Sequence, residues 1–330
     1  MPFGNAIFPL VVLEKFERLR QMIGSYGSCL VAYSGGVDSV FLARVARDVL
    51  GDKSLAVIAD SPSLPRRELE DALAIAEKFQ IPVRVVGTRE FENPSYTANP
   101  MNRCYFCKHE LFTELAPIAR AGNFAVIAYG ENASDIGDYR PGAQAAKEFQ
   151  VRAPLKEAGL TKAEIRELSK QLGLPTAEKP QMACLSSRVP YGETVTPAKL
   201  KMIEAAENVL RDLGFFDVRV RHHELPVSGS EFRVSGSSGV APVALVSRPA
   251  TQNPLAAPKQ GEAGKLETRR HLARIEVGPA ELKRLLEDGL SAKVAEALKA
   301  VGYSHVTVDL QGYRRGSANE ALKAPRSSQH

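Results

Sequence analysis

Tryptophan is absent from the sequence, and only four of its 330 residues are cysteine. So few cysteines over this length exclude a disulfide scaffold, and they fit a reducing compartment. There, paired cysteines serve more often as metal ligands or catalytic thiols than as structural bridges. No apolar stretch approaches the ~20 residues that span a bilayer. The apolar run from Ala6 to Leu13 is interrupted by Pro9, followed at once by Glu14, and preceded by no basic region. No secretory leader is therefore expected, no membrane partner, and a cytoplasmic location. A block of lysine and arginine of the kind that forms an RNA-binding arm is also missing. The formal charge of +5 is mild and suits a polyanionic small molecule such as a nucleotide, so no nucleic-acid partner is expected. Apolar residues at 44% and charged ones at 25% give an ordinary globular balance, enough for about two domains.

What the chain does contain is an alternation. Apolar runs at Cys29–Tyr33, Ser54–Asp60, Pro82–Val86 and Phe124–Tyr129 are separated by helical patterns at Val37–Leu50, at about Pro65–Phe79 and from near Cys104. Strands without polar alternation, separated by helices, predict an α/β fold with a parallel sheet covered on both faces over residues 1–160. Ligands of such sheets bind beyond the carboxyl ends of the strands, where Ser34, Asp60 and Gly130 fall. Residues 161–330 read as a smaller α+β domain for substrate binding and oligomerisation. Its helices are expected at Thr161–Leu172 and Pro197–Leu213, and its strands at Asp217–Arg221, Leu272–Val277 and His305–Leu310. Within it, residues 224–269 are rich in Ser, Gly, Pro and Ala without periodicity and read as a disordered insertion between two strands.

Between the first strand and its helix stands Ser34-Gly35-Gly36-Val37-Asp38-Ser39. Two glycines let the backbone turn its N–H groups outward, and the helix adds free amides and a positive dipole end. Ser34 and Ser39 offer hydroxyl donors. Asp38 would repel phosphate, so it is expected either to cap the helix or to hold a magnesium ion that bridges phosphates. The Walker ending GK[ST] is missing. The hexapeptide after an apolar strand resembles the signature of the PP-loop ATP pyrophosphatases. That resemblance implies attack of an oxygen on the α-phosphate of ATP, with release of pyrophosphate; it does not choose the acceptor.

Cys104 and Cys107 form a C-x-x-C beside Arg103 and Lys108, and Cys184 lies far downstream. Neighbouring cations are expected to lower the thiol pKa values, favouring nucleophilic thiolates and metal ligation. Two sulfurs one helical turn apart can face one metal or cluster, and a third from elsewhere would leave one iron position without a protein ligand. A redox pair and a zinc site completed by His109, His222, His223 or His271 are the competing readings. Cys29, inside the first strand, reads as a small buried hydrophobe.

The segments NRCYFCK (102–108), YGENASD (129–135), DYRPG (138–142), ACLSSRVPYG (183–192), HLARIEV (271–277) and DLQGYRRG (309–316) together closely resemble the LarE family of ATP-dependent sulfur transferases. The resemblance covers the chain apart from the insertion, which separates strands that the family joins by a short turn. It implies that a carboxylate of pyridinium biscarboxylic acid mononucleotide is adenylated and then converted to a thiocarboxylate, by a homo-oligomer using ATP and Mg2+. In one branch a cysteine at the position of Cys184 surrenders its own sulfur. In the other, three cysteines matching Cys104, Cys107 and Cys184 hold a 4Fe-4S cluster that delivers sulfide, and this chain has all three. The expected catalytic set is Cys184, Cys104, Cys107 and Arg188. The expected nucleotide-binding set is Ser34, Gly35, Gly36, Asp38, Ser39, Asp60, Gly130 and Asn132. Arg140, Arg188 and Arg274 are expected to clamp the substrate's phosphate and second carboxylate, for which guanidinium forks are suited. Glu276 is expected to balance Arg274 or bind a cation. A tRNA-thiolating enzyme and an amide synthetase remain alternatives on the same fold.

Overall fold

The computed structural model describes residues 9–135, 141–180, 183–225, 270–287 and 289–314. In chain order these form α1 (Leu10–Tyr26), β1 (Cys29–Tyr33), α2 (Val37–Leu50), β2 (Ser54–Asp60), α3 (Arg66–Lys78), β3 (Val83–Gly87), α4 (Pro94–Thr97), α5 (Arg103–Ala121), β4 (Val126–Tyr129), α6 (Pro141–Glu148), α7 (Pro154–Glu157) and α8 (Lys162–Gln171). They continue with α9 (Pro197–Asp212), β5 (Val218–Leu225), β6 (Arg270–Val277), α10 (Leu282–Leu285), α11 (Leu290–Val301) and β7 (His305–Val308).

The first four strands make one parallel sheet in the order β3-β2-β1-β4. The chain steps outward from β1 to β3, then crosses back to place β4 on the far side of β1. The reversal opens a crevice at the carboxyl ends of β1 and β4, the switch point where such sheets bind ligands. All five residues of β1 are buried, as its unbroken apolar run requires. One cluster on its first face joins Val31, Phe41 and Ile58 to Phe16, Leu19 and Ile23 of α1. A second on the other face joins Leu30 and Val57 to Phe112 and Leu115 of α5. The sheet is thus covered on both faces, as expected.

Two features depart from the sequence reading. The apolar run near the N-terminus continues into a full helix, because Val12, Phe16, Leu19 and Ile23 recur at helical spacing and bury one face. Helix α8, on the far side of the boundary expected at residue 160, places Ile165 and Leu168 in the first cluster. Its start is fixed by a capping box between Thr161 and Glu164.

The second sheet has the order β5-β6-β7, antiparallel then parallel. Strand period assigns its faces. Val218, Val220, Ala273, Ile275 and Val277 pack against Ala206 and Leu210 of α9 and Leu298 of α11. The alternate residues Arg219, Arg221, Arg274 and Glu276 occupy the opposite face. Glu224 and Leu225, placed in the insertion by sequence, instead extend β5 and pair with His271 and Arg270, so β5 and β6 meet in full register. Residues 226–269 lie outside the described residues.

Candidate active site

The glycine turn sits at the crevice. Gly35 adopts φ +69°, and a Cβ there would lie 2.7 Å from Ala72 Cβ, so both backbone and packing demand glycine. Gly36 is the N-cap residue of α2 and has no side chain with which to cap it. Ser39 Oγ accepts from Ser34 N–H at 3.1 Å, donates to Gly36 O at 3.1 Å and meets Ser34 Oγ at 3.0 Å. These hydroxyls lock the turn. Gly130, following β4, packs so closely that a Cβ would stand 2.9 Å from Ser39 N and 3.1 Å from the Asp38 carbonyl carbon. Asp38 stands in the first turn of α2, and its Oδ2 receives Lys162 Nζ at 2.6 Å. A lysine from α8 therefore stands beside the carboxylate that seemed out of place near phosphate.

Around Gly130, Asn132 is buried and turned inward: its Oδ1 accepts from Ser134 N–H at 2.9 Å. Glu131 is buried and bonded to Lys156 at 2.9 Å and to Tyr129. Asp60 ends β2 and pairs with Arg66 at 2.5 Å, both partly exposed.

The cysteines form a second wall. Cys104 is exposed, while Cys107 and Cys184 are half-buried. Cys104 and Cys107 occupy the first turn and a half of α5, and Cys184 immediately precedes a single 3-10 turn, Leu185–Arg188. Cys104 and Cys184 both lie within electrostatic reach of Cys107. Burial pushes the Cys107 thiol up to about 12, Cys184, Glu90 and Cys104 add to that, and Lys108 only partly opposes it. The cations beside the C-x-x-C were expected to lower its thiol pKa values. For Cys107, burial wins, and Lys108 is itself lowered by burial. Arg103 is buried; desolvation opposes its charge, but the facing Cys184 and Cys104 help leave its pKa raised.

This wall is stitched from distant segments. Leu185 N–H donates to Ser63 O at 2.9 Å, tying the Cys184 loop to the loop after β2. That loop lies at the same carboxyl edge of the sheet as the glycine turn. The hydroxyls of Ser63, Tyr96 and Ser186 close a triangle of 2.6, 2.8 and 2.9 Å. Arg103 reaches Ser186 O at 3.0 Å and Asn99. Arg188, fully buried, grips Glu207 through Nε at 2.8 Å and Nη2 at 3.1 Å. Its Nη1 holds Ala183 O at 2.6 Å, Cys184 O at 3.0 Å and Ser187 Oγ at 3.1 Å. The guanidinium thus holds the cysteine loop by its backbone.

On the polar face of the second sheet, Glu276 takes a bidentate fork from Arg221, at 3.0 and 2.9 Å, and a further bond from Arg274 at 3.1 Å. Arg221 also donates to Ser187 O at 2.8 Å, joining this face to the cysteine loop. Arg274 keeps 41% of its side chain exposed and faces Asp309 at 3.5 Å. Arg140 lies outside the described residues.

Of the histidines weighed as a fourth zinc ligand, His109 stacks edge-on against Phe149. Among the described residues, the one set of three His, Cys, Asp or Glu ligand atoms mutually within 4.8 Å is His222, Glu224 and His271; the three cysteine sulfurs do not form such a set. Sequence reasoning missed Glu207, Lys162 and the tie between Arg221 and Ser187. Glu207 had a signal: it falls on the buried face of α9 with Leu200, Ile203 and Leu210, where a carboxylate needs a buried partner. Lys162 had none, since its partner is 124 positions away.

The parallel sheet, its switch point and the glycine turn define a PP-loop ATP pyrophosphatase domain, and the chain is an ATP-using enzyme. Residues 12–98 match the model of the NAD synthase family. The chain is 41% identical over 309 residues to an uncharacterized protein of Synechocystis sp. PCC 6803, covering 94% of this chain and 98% of that one. It is 30% identical over 293 residues to pyridinium-3,5-bisthiocarboxylic acid mononucleotide synthase of Lactiplantibacillus plantarum, covering 88% and 89%. A GMP synthase of Brucella melitensis biotype 1 is 26% identical over 235 residues, covering 62% of this chain and 45% of that protein. The chain belongs to the LarE family.

Proposed function

We propose that this enzyme adenylates a carboxylate of pyridinium biscarboxylic acid mononucleotide and replaces it with a thiocarboxylate. The carboxylate oxygen attacks the α-phosphorus of ATP, and pyrophosphate leaves with the bonding electron pair. Sulfur then adds to the acyl carbon, and AMP departs as the C–O bond breaks. The amides of the glycine turn and the α2 N-terminus cradle the departing pyrophosphate. Magnesium accompanies ATP, and Asp38 is the carboxylate of the turn able to ligate it, with Lys162 taking up the phosphate charge it vacates. Arg274, partly exposed beside Glu276, is suited to the substrate's phosphate. Arg188 acts as a positioning residue, because its donors face Glu207 and the Cys184 loop.

What supports this reading is that Cys184 and Cys104 both lie within electrostatic reach of Cys107, and that Leu185 N–H ties the Cys184 loop to Ser63 O at the sheet edge that also bears the glycine turn. The presence of all three cysteines favours a 4Fe-4S cluster as the sulfur source over a sacrificial cysteine. Held by those three cysteines, such a cluster would keep one iron without a protein ligand and supply the sulfur. The protein's part is to hold Cys107 in the first turns of α5 and fix Cys184 through Arg188. Anaerobic purification tests this: a brown protein with ~4 irons per chain is expected, and each of Cys104→Ala, Cys107→Ala and Cys184→Ala should lose the iron. A colourless protein for which only Cys184 is indispensable would instead establish sulfur donation by that cysteine itself.

A further inference from the structure

The helix-covered face of the second sheet is apolar except at its open end. There the strand period puts His222 and Glu224 on one face of β5, and register sets His271 of β6 directly across from Glu224. His222 is fully buried, between the core and the Tyr303 ring. Its Nδ1 lies 3.2 Å from Tyr303 Oη, while its Nε2 is buried with no hydrogen-bond partner. His271 likewise buries Nδ1 without a partner, and the two imidazole rings stand 4.8 Å apart. Two orphaned ring nitrogens side by side are costly in an interior unless something accepts their lone pairs. One ligand atom from each of His222, Glu224 and His271 lies within 4.8 Å of the other two.

We infer that His222, Glu224 and His271 form a binding site for a first-row divalent transition metal ion, zinc by ligand preference, which staples β5 to β6 at the end that bears Leu225 and Arg270. Two imidazoles and a carboxylate make a borderline donor set that zinc, cobalt(II) and nickel(II) accept and that magnesium does not favour. The contact between His222 Nδ1 and Tyr303 Oη is the outer-shell bond that fixes a ligating ring and leaves its other nitrogen free. Glu224 is already held by a cation, Lys199 Nζ at 2.9 Å. On metal binding that ammonium keeps its second partner, Thr194 O at 2.6 Å. The site uses none of the residues assigned to ATP or sulfur transfer, since His223 and the arginines point to the other face. It therefore stands or falls independently of the proposed reaction. Its consequence is structural: an ion bound only by the folded hairpin stabilises it in proportion to ion concentration.

The test uses the full-length chain with Cys104, Cys107 and Cys184 all changed to serine, so that thiols do not compete. Cobalt(II) titrated into this metal-stripped protein should give one equivalent of binding with visible d–d bands. Zinc should displace cobalt and raise the thermal unfolding midpoint. Because His222 is buried in the core, the ligand variants are made at its more accessible partners. His271→Ala and Glu224→Gln should each weaken cobalt binding by more than about 100-fold, and Tyr303→Phe by about 10- to 100-fold. The metal-free unfolding midpoints of these variants report that the fold persists. Absence of a one-equivalent site, or binding and zinc stabilisation unchanged in His271→Ala and Glu224→Gln, overturns the inference.

Discussion

The glycine turn and the cysteine wall share one edge of the parallel sheet but are built on opposite plans. The turn is six consecutive residues whose working groups are backbone amides, locked by two serine hydroxyls that are five residues apart. The wall gathers the loop after β2, α4, α5, the Cys184 loop and α9, and its members are joined by buried side chains. A backbone site of the first kind tolerates little change in shape and holds only one part-buried ion pair, Asp38–Lys162. A side-chain site of the second kind depends on charges that are tolerable only in pairs. The comparison predicts that the two will fail differently under mutation: the turn by losing nucleotide affinity in a folded protein, the wall by losing stability and cysteine placement together.

The largest effect is expected at Glu207. Removing it in Glu207→Ala leaves Arg188 charged and unpaired in the core, at a cost of about 3–5 kcal/mol. Chemical denaturation should show that loss. Unchanged stability would break the claim that this ion pair anchors the cysteine loop. Next comes Gly35→Ala, which combines a left-handed backbone with a Cβ contact of 2.7 Å. A cost of about 1–3 kcal/mol is expected, read as an ATP dissociation constant raised about 10-fold or more by calorimetry. Gly130→Ala should act in the same direction by pressing on Ser39 N.

Cys107 sharpens the comparison through pH. Its thiol is pushed up to about 12 by burial, so before metal loading it stays protonated at neutral pH. Since the thiolate is the reactive form, its alkylation should be slower than that of an ordinary free cysteine and should rise with pH well beyond pH 9. Mass-resolved labelling of each cysteine in the iron-free chain checks this; fast labelling of Cys107 at pH 8 would contradict it. The smallest effect is expected at the exposed Asp60–Arg66 pair, where Arg66→Ala should change stability by less than about 1 kcal/mol. A larger loss would give this pair a structural role that its exposure argues against.

The same contrast explains what could be read from the residues alone. The turn was legible because its chemistry is local: an apolar strand, two glycines and a helix start dictate it in order. The sheet was legible for the same reason, since β1 and β2 carry unbroken apolar runs. Helix α1 was obscured because Pro9 interrupts the run before Val12, Phe16, Leu19 and Ile23 establish the helical period. The cysteine wall was half legible. Its thiols stand out by rarity, but their surroundings depend on Ser63, Tyr96, Arg103 and Glu207 arriving from separate elements. Cys107 shows the physical cost of reading neighbours along the chain: Lys108 adjoins it in sequence, yet burial decides its pKa. By sequence Arg188 suits a clamp on the substrate's phosphate and second carboxylate, whereas its fork is filled by a helix carboxylate that no local pattern connects to it.

The most direct test of the account is a single turnover under anaerobic conditions. The iron-loaded chain is charged with isotopically labelled sulfide and given ATP, Mg2+ and pyridinium biscarboxylic acid mononucleotide. The account predicts a thiocarboxylate product carrying the label, one AMP and one pyrophosphate per sulfur transferred, and an unchanged mass for the peptide containing Cys184. Unlabelled product with one sulfur lost from Cys184, or ATP cleavage without any sulfur in the product, would contradict it.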